Sequence, residues 1–409
     1  MLTSVAVLLP GYQLPAGGPL ARTHRADAVV MGPAVKKVAV GLIGTGLVGS
    51  EVLKQVEATS ADLAKQGLEL CVSAISTRRD WTESGERTPW MLCQDEEGCS
   101  IEGILSDMNN PDLGEVGDFM KMADHLKSVS PHAILIDATA SEVVSDFYPK
   151  WLAKGVHVVT PNKKAGSGDL ARWKECVSAM EATGAQWGDE TTVGAGLPIL
   201  NTLRTDLLAT GDKVKTIEGI FSGTLSYLFN TYEPGMAFSD VIADAKEKGF
   251  TEPDPRDDLS GTDVARKVTI LARACGIEVE LEKVPVTSLV PAALQDWQPA
   301  AGVKLADAFV EEMKAFDDEK AAQIAAADAN GNVLRFVGVV DVEKGAVSVE
   351  LREYPKTHPF AGTQYADNIC AFNTERYTPQ PLVVQGPGAG AAVTAAGIYA
   401  DLIRVARSS

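Results

Sequence analysis

The chain has 409 residues, of which 45% are hydrophobic and 22% charged, and 55 acidic against 37 basic side chains give a formal net charge of −18. This length predicts two or three domains, and the composition is that of a globular protein with a packed core. The negative charge argues against nucleic acid or an anionic membrane as a partner. No apolar run approaches the roughly 20 residues that span a bilayer, so we expect no membrane contact.

Two features bear on the compartment of the protein. Residues 1–35 are rich in Gly, Pro and Ala and poor in acids, which is typical either of an organelle-targeting peptide or of an unstructured leader. The first interpretation predicts a plastid or other organelle stroma, and the second predicts the cytoplasm. The six cysteines are scattered without zinc-site spacing, so we expect reduced, structural thiols.

Strand-like and helix-like segments alternate in the first part of the chain. The apolar runs that predict buried strands are residues 38–43, 68–76, 133–138 and 156–160. Helical segments between several of them complete the pattern of a Rossmann-type, doubly wound parallel sheet of the α/β class. Residues 81–118 are rich in Gly, Pro, Asp, Asn and Glu, and we interpret them as a polar insertion with short helices.

The pattern changes beyond residue 198. The predicted elements there are a strand, a helix, two hairpin strands and a C-terminal helix: residues 216–221, 262–274, 333–342, 346–353 and 391–407. These elements predict a second module, of the α+β class, with an antiparallel sheet.

A glycine-rich turn follows the first predicted strand and leads into a helix. In the spacing G-x-G-x-x-G the first glycine permits a tight turn, the second lets the backbone approach a pyrophosphate, and the third lets strand and helix pack closely. The start of the helix adds unpaired N–H groups that suit phosphates. A merely structural turn is the alternative. The predicted dinucleotide site comprises Gly44, Thr45, Gly46, Leu47, Val48 and Gly49.

The end of the second predicted strand bears on the choice of nicotinamide cofactor. NAD sites usually have Asp or Glu there to bind the ribose hydroxyls, whereas this chain has Arg78 and Arg79. A guanidinium group suits a 2′-phosphate, so we expect NADP(H) and a contact from Arg78. Asp80 leaves NAD(H) open, and two solvated surface arginines are the alternative.

Two further loops end predicted parallel strands, at the edge of the sheet where open α/β folds bind ligands. Thr139 lies in the first loop and is a candidate hydrogen-bond partner of the cofactor. Lys163 lies in the second, within reach of the nicotinamide side of the cleft. Exposed loop lysines are the alternative interpretation of Lys163 and Lys164.

An acidic, proline-containing loop at residues 249–260 precedes the predicted helix of residues 262–274. Asp263 and Lys267 are separated by four positions and therefore lie on one face of this helix. One interpretation is a surface ion pair worth about 0.3–0.5 kcal/mol. The other is a site where the acids bind the ammonium group of an amino acid and Lys267 lies near a carbonyl group.

Three long motifs resemble the homoserine dehydrogenase family: residues 190–198 (ETTVGAGLP), 219–227 (GIFSGTLSY) and 252–267. The order of motifs along residues 38–406 also matches that family. The resemblance implies NADP(H)-dependent interconversion of L-aspartate 4-semialdehyde and L-homoserine, in the biosynthesis of threonine, methionine and isoleucine. It further implies a homodimer of the monofunctional branch, without an aspartate kinase or an ACT domain.

The resemblance also implies how the chain divides. The four parts are a leader (1–35), an NADP-binding Rossmann domain (36–197 plus 383–409), a dimerisation region (198–214 plus 330–382) and a catalytic, substrate-binding domain (215–329).

Site residues are implied in the same way, by matching positions of the motifs. Lys267 and Lys163 would be catalytic, and Lys163 and Thr139 would also contact the cofactor. The C-terminal glycine loop would contribute cofactor contacts from Gly386, Gly388 and Gly390. Substrate would be bound by Glu252, Asp258, Asp263, Gly223 and Thr224. A monovalent cation, usually sodium, would bind largely backbone oxygens of Glu190, Val193, Ala195 and Leu197. Phe250 departs from the family, where Tyr is common, so a substrate-facing hydroxyl is missing here.

Two other functions share the predicted Rossmann domain. A phosphorylating semialdehyde dehydrogenase needs an activated cysteine near a histidine, and none of the six cysteines lies in a convincing nucleophile loop. A non-catalytic NADP-binding protein would have no need of Lys163, Glu252, Asp263 and Lys267 together.

Overall fold

A computed structural model describes residues 35–80, 87–94, 101–108, 110 and 113–409 of the chain. The strands are β1 Lys36–Ile43, β2 Leu68–Asp80, β3 Arg87–Cys93, β4 Glu115–Val116, β5 Ala133–Asp137, β6 His157–Val159, β7 Trp187–Gly188, β8 Val214–Ile220, β9 Asn332–Asp341, β10 Ala346–Pro355, β11 Asp367–Thr374 and β12 Leu382–Pro387. The α-helices are α1 Leu47–Lys65, α2 Ile101–Met108, α3 Phe119–Val129, α4 Glu142–Ser145, α5 Tyr148–Ala153, α6 Lys163–Ser167, α7 Leu170–Thr183, α8 Ile199–Asn201, α9 Gly223–Thr231, α10 Phe238–Glu247, α11 Pro255–Leu259, α12 Thr262–Ala274, α13 Leu305–Met313, α14 Asp317–Ala329 and α15 Ala391–Ser408. Residues 1–34 of the predicted leader (1–35) lie outside the described residues.

The first sheet has seven strands in the order β4-β3-β2-β1-β5-β6-β7, and β2, β1, β5, β6 and β7 run parallel. Alternate side chains of β1 point to opposite faces and enter different hydrophobic cores. Val38, Val40 and Leu42 pack with α1 and α15, whereas Ala39 and Ile43 pack with α3 and α5. The prediction of a doubly wound parallel sheet is therefore confirmed.

The interpretation of residues 81–118 as a loop with short helices is wrong in one respect, because they include two strands of this sheet. Strand β3 pairs antiparallel with β2, and β4 pairs antiparallel with β3. The apolar residues Trp90, Met91 and Leu92 are buried and account for β3. Three apolar residues in a polar stretch are too short a signal for a strand, and the pairing extends β2 through Arg78 to Asp80.

The second sheet has five strands in the order β10-β9-β8-β11-β12, and all neighbouring strands are antiparallel. One face packs on α12, whose Val264, Val268 and Leu271 share a core with Phe336 and Val340 of β9. The predicted α+β module, its helix at residues 262–274 and its hairpin are confirmed.

This sheet joins segments that the predicted division assigns to different parts of the chain. Strand β8 begins in the predicted dimerisation region and continues into the predicted catalytic domain, and β12 runs into α15 of the first core through residues 388–390. The four-part division stays a prediction. The glycine-rich residues 386–390 thus lie where the chain passes from the second sheet to the helix α15, which packs on the first sheet.

The structure also bears on the state of the cysteines and on membrane-spanning helices. Cys71 is disulfide-bonded, so the expectation of reduced cysteines is wrong for this residue, whereas Cys93, Cys176, Cys275 and Cys370 are free. Along the described ranges, no helix combines the length and apolar character needed to cross a membrane.

Candidate active site

The turn between β1 and α1 is built on three glycines. Gly44 has φ = 94°, a left-handed conformation that favours glycine, and its N–H donates to the Ser76 carbonyl at 2.8 Å. A Cβ atom on Gly49 would lie 2.0 Å from the Gly44 carbonyl oxygen, so α1 can start this close to β1 only with glycine there. The space around Gly46 is open and no side chain caps the helix, which leaves the first N–H groups of α1 for a ligand.

A cavity of about 690 Å³ lies beside this turn, where the strand order reverses between β1 and β5. Open α/β sheets bind ligands at such a point. The predicted cofactor residues that line it are Gly44, Thr45, Gly46, Arg78 and Thr139. Leu47 is exposed and, like Val48 and Gly49, is not part of the lining.

Asp137, the last residue of β5, holds two loops of the ligand side together. Its carboxylate accepts from the Thr139 N–H at 2.8 Å, from Asn162 Nδ2 at 2.9 Å and from the Tyr148 hydroxyl at 2.6 Å. Burial raises the pKa of Asp137, and these donors oppose the rise. Because Asn162 caps the helix that begins with Lys163, Asp137 fixes the Thr139 loop relative to that lysine. Sequence reasoning missed this role, although the residue directly precedes the loop that it identified.

A second cavity, of about 1050 Å³, adjoins the first, and Ala140 lines both. The predicted site residues that line it are Lys163, Ala195, Gly223, Thr224, Glu252, Asp258, Asp263, Lys267, Gly388 and Gly390. The predicted substrate residues therefore lie together, with part of the C-terminal glycine loop beside them. Gly386 lies in β12, and Glu190, Val193 and Leu197 are outside the lining of these two cavities.

Lys163 and Lys267 meet on a single carboxylate in this second cavity. Lys267 Nζ lies 2.7 Å from Asp263 Oδ2, and Lys163 Nζ lies 3.4 Å from Asp263 Oδ1. Lys267 is buried, whereas the Asp263 side chain is half-exposed. Lys267 Nζ also donates to the Phe221 carbonyl at 2.5 Å. The structure thus brings together two ammonium groups that lie about 100 positions apart in the chain.

Opposing effects act on the ionisation of this cluster. Burial lowers the pKa of Lys267 and the charge of Lys163 adds to this, while the charge of Asp263 raises it. Burial would raise the pKa of Asp263, but the charges of Lys267 and Lys163 outweigh it and hold that pKa well below the usual range. Asp263 therefore stays ionised, and the proton of Lys267 is held less tightly than that of an exposed lysine.

Arg273 joins the helices that carry the two lysines. This residue of α12 is 3% exposed, and its guanidinium donates to the Gly166 carbonyl of α6 at 2.8 Å and to the Gly168 carbonyl at 2.7 Å. A buried guanidinium with several acceptors makes a rigid joint. Arg273 was not singled out from the sequence, because Gly166 and Gly168 lie more than 100 positions away.

Asp258 organises the acidic loop at the cavity wall. Its carboxylate accepts from Thr224 Oγ1 at 2.8 Å and from the Glu252 N–H at 2.8 Å. Burial raises the pKa of Asp258, its hydrogen bonds lower it, and the neighbouring acids raise it again. Phe250 lines the same wall, 38% exposed, with its ring centroid 4.8 Å from that of Tyr227.

The segment predicted to hold a cation is buried and tightly folded. The Glu190 carboxylate accepts from the N–H groups of Leu200 and Asn201, each at 2.7 Å, so its side chain caps α8. Burial and then neighbouring acids raise the pKa of Glu190 to about 7, against these hydrogen bonds. Gly194 and Ala195 have φ values of 79° and 52°. No cluster of three or more His, Cys, Asp or Glu side chains suited to a metal ion occurs in the described part of the chain.

The four free cysteines among the described residues are not activated nucleophiles. Burial raises the pKa of Cys93 to about 11 and those of Cys176 and Cys275 to about 12, and it raises that of Cys370 further. An activated thiol needs the opposite shift. None of the four lines either cavity, which disfavours a phosphorylating semialdehyde dehydrogenase.

A parallel sheet with a glycine turn at its switch point, joined to an α+β module with charged groups facing the same cleft, defines a two-module nicotinamide-nucleotide-binding protein. Two family models match this chain: "Homoserine dehydrogenase, NAD binding domain" over residues 44–188, and "Homoserine dehydrogenase" over residues 198–403. The chain belongs to the homoserine dehydrogenase family.

Individual relatives agree with this assignment. The homoserine dehydrogenase of Paracoccidioides brasiliensis is 42% identical, over 90% of this chain and 98% of the relative. The bifunctional aspartokinase/homoserine dehydrogenase 1, chloroplastic, of Arabidopsis thaliana is 46% identical, but the chain spans only 39% of its length. A crystal structure described as a protein of unknown function from Candida auris is 38% identical, with a TM-score of 0.80 over 91% of this chain and 99% of that one.

Alanine substitutions at two glycines of the turn between β1 and α1 separate folding from cofactor binding. Gly49→Ala places a Cβ against the Gly44 carbonyl, so we expect it to cost about 1–3 kcal/mol of folding free energy. Gly46→Ala meets no neighbouring atom and should keep the melting temperature of the ligand-free protein, while weakening NADPH binding. Thermal unfolding and NADPH titration measure both effects. Equal melting temperatures for the two variants would contradict this account of the turn.

Proposed function

We propose that this chain is an NADP(H)-dependent homoserine dehydrogenase, which interconverts L-aspartate 4-semialdehyde and L-homoserine in threonine, methionine and isoleucine biosynthesis. The observation that carries the proposal is the pair of ammonium groups, Lys163 and Lys267, on the Asp263 carboxylate, in a cavity that adjoins the one beside the glycine turn. Membership of the homoserine dehydrogenase family supports it.

The substrate is an amino acid, and the cavity offers groups for both of its charged ends. Glu252, Asp258 and Asp263 supply negative charge for the ammonium group. Gly223 and Thr224 form the first turn of α9, where N–H groups without a helical acceptor suit a carboxylate. The hydrogen bond from Thr224 to Asp258 keeps the two ends of this substrate site in fixed register.

Reduction of the aldehyde requires a hydride at carbon and a proton at oxygen, and bound NADPH supplies the hydride. Lys267 donates the proton from Nζ, since burial loosens its hold on that proton while Asp263 keeps it charged. Lys163 stabilises the negative charge that develops on the same oxygen, and it also positions the nicotinamide. In the reverse direction the neutral amine of Lys267 accepts the proton of the homoserine hydroxyl.

Lys267→Ala tests the proton donor. We expect kcat for NADPH-dependent reduction of aspartate 4-semialdehyde to fall by about 10²-fold or more, with little change in the dissociation constant of NADPH. Lys174→Ala is the matched control, since this exposed lysine pairs with Glu278 and neither residue lines either cavity. Wild-type turnover in the Lys267 variant would refute the assignment.

Asp263→Asn tests the electrostatic balance. The charge of Asp263 raises the pKa of Lys267, so its removal leaves burial and Lys163 to lower that pKa further. Because reduction needs protonated Lys267, activity in the variant should begin to fall at a lower pH than in the wild type. A pH profile of kcat/KM measures the shift.

Asp257→Asn is the matched control for this profile, since Asp257 lines the same cavity without an ion pair to either lysine. Its alkaline limb should stay at the wild-type position. If the alkaline limb of Asp263→Asn also stays there, Lys267 does not set the pH dependence.

We propose NADP(H) over NAD(H) because Arg78 lines the cofactor cavity at the end of β2. Arg78→Ala should raise KM for NADPH about tenfold while KM for NADH changes far less, as expected for one lost charge-assisted hydrogen bond to the 2′-phosphate. Steady-state kinetics with both nicotinamides measure this. Equal effects on NADPH and NADH would argue against a 2′-phosphate contact.

The remaining expectations are also proposals. A sodium ion on backbone oxygens of Glu190, Val193, Ala195 and Leu197 is supported by the irregular, left-handed turn at Gly194 and Ala195, because such a turn is not part of a helix or sheet ladder. It would stabilise the segment between the two modules.

We infer a homodimer from the family, with an edge of the five-stranded sheet at the two-fold axis. A cytoplasmic or a plastid location depends on residues 1–35.

A further inference from the structure

The carbonyl group that holds Lys267 has a second partner. Asn368 Nδ2 donates to the Phe221 carbonyl oxygen at 3.2 Å, and Lys267 Nζ donates to the same oxygen at 2.5 Å. Asn368 lies on β11 and is fully buried. Phe221 directly precedes Ser222, whose side chain caps α9 by accepting from the Leu225 N–H. The Phe221 carbonyl thus connects the buried ammonium group to the start of the proposed substrate helix.

The same carboxamide also abuts the C-terminal glycine loop. A Cβ atom on Gly388 would lie 2.0 Å from Cγ and Nδ2 of Asn368, so the loop backbone rests directly on the amide. Asn368 is paired with Gly386 in the register of β11 and β12, and Gly388 lines the second cavity. Asn368 therefore lies between the carbonyl that accepts from Lys267 and the loop proposed to contact the cofactor.

The hydrogen bonding of Asn368 is poor for stability. Its Oδ1 is buried and has no hydrogen-bond partner. Nor can the amide be reversed to advantage, because only the NH₂ group can face the Phe221 carbonyl without repulsion. A buried acceptor left unpaired is destabilising, and an apolar residue of similar size would avoid the loss. The residue is therefore better explained by its effect on Phe221 and Lys267 than by folding.

We propose that Asn368 is a positioning residue, which fixes the Phe221 carbonyl and, through it, the ammonium group of Lys267 relative to residues 388–390. This rests on the proposed function, in which Lys267 is the proton donor. After the proton is transferred, the neutral amine is a weaker donor, and Asn368 keeps the carbonyl satisfied and in place. The nitrogen of Lys267 then remains aligned for the reverse reaction.

Asn368→Leu removes the carboxamide and keeps the branching at Cγ and the number of side-chain heavy atoms. Because the unpaired oxygen is lost too, its melting temperature should equal or exceed that of the wild type, and KM for NADPH should change little. Displacement of the proton donor should nevertheless lower kcat about tenfold. Asn373→Leu is the control on the same strand, since it removes a hydrogen bond to Thr216 Oγ1 and should leave kcat unchanged.

A double-mutant cycle with Lys267→Ala separates positioning from a structural role. If Asn368 acts through Lys267, adding Asn368→Leu to Lys267→Ala should lower the residual kcat by less than about twofold. An equal loss in both backgrounds, or wild-type kcat in the single variant, overturns the proposal. Should the leucine variant not fold, Asn368→Ala replaces it in the same cycle.

Failure of the underlying function would look different. Absence of semialdehyde reduction by the wild type, or full activity of Lys267→Ala, would overturn the proposed function, whatever Asn368 does. Loss of activity in Lys267→Ala together with an uncoupled Asn368→Leu would overturn only the positioning role.

Discussion

The arrangement of the site depends on one electrostatic constraint, the need of a buried ammonium group for a counter-charge. Lys267 is 7% exposed and would not hold its charge there without a partner. Asp263, one helical turn away, supplies the partner, and its second oxygen faces Lys163 of the other module. Removing Asp263 would be costly, because the buried ammonium group of Lys267 would be left uncompensated. The carboxylate of Asp263 therefore links the two modules, at the point where we propose that the substrate carbonyl binds.

Other contacts hold α12 and α6 at the separation that this link requires. Arg273 ties the two helices through the carbonyls of Gly166 and Gly168, and Asn162 ties the start of α6 to Asp137. The C-terminal helix α15 packs against residues 188–197, and its Asp401 accepts from the Glu190 N–H at 3.0 Å. The C-terminal helix thus belongs to the first core, while the strand before it belongs to the second sheet.

Local pattern was enough to predict much of the fold. The alternation of Val38, Val40 and Leu42 and the glycine spacing at Gly44 identify a strand, a turn and a helix, and each depends only on neighbours in the chain. Strand β3 was not predicted because its apolar stretch is three residues long. Strand β7 was not predicted because two residues carry no periodicity. The π-helical turn at residues 202–208 likewise has no local signal.

The site residues also divide into those that local spacing predicts and those that depend on tertiary contacts. Spacing put Asp263 and Lys267 on one face of a helix, but nothing in the sequence pattern brings Lys163 to that face, since the two segments are about 100 positions apart. Only the family resemblance linked them. Asp137, Arg273 and Asn368 were missed because each acts through tertiary partners that no local pattern encodes.

The opposing effects on the pKa of Lys267 also matter for the reversibility of the proposed reaction. A group that gives a proton in one direction and takes it in the other works best when its pKa is near the working pH. An exposed lysine holds its proton too tightly, and a lysine buried without a partner would lose it altogether. Burial and Lys163 lower the pKa while Asp263 raises it, so the opposing effects leave Lys267 between these extremes. In the proposed mechanism, the half-exposed carboxylate of Asp263 is then as necessary as the lysine that would transfer the proton.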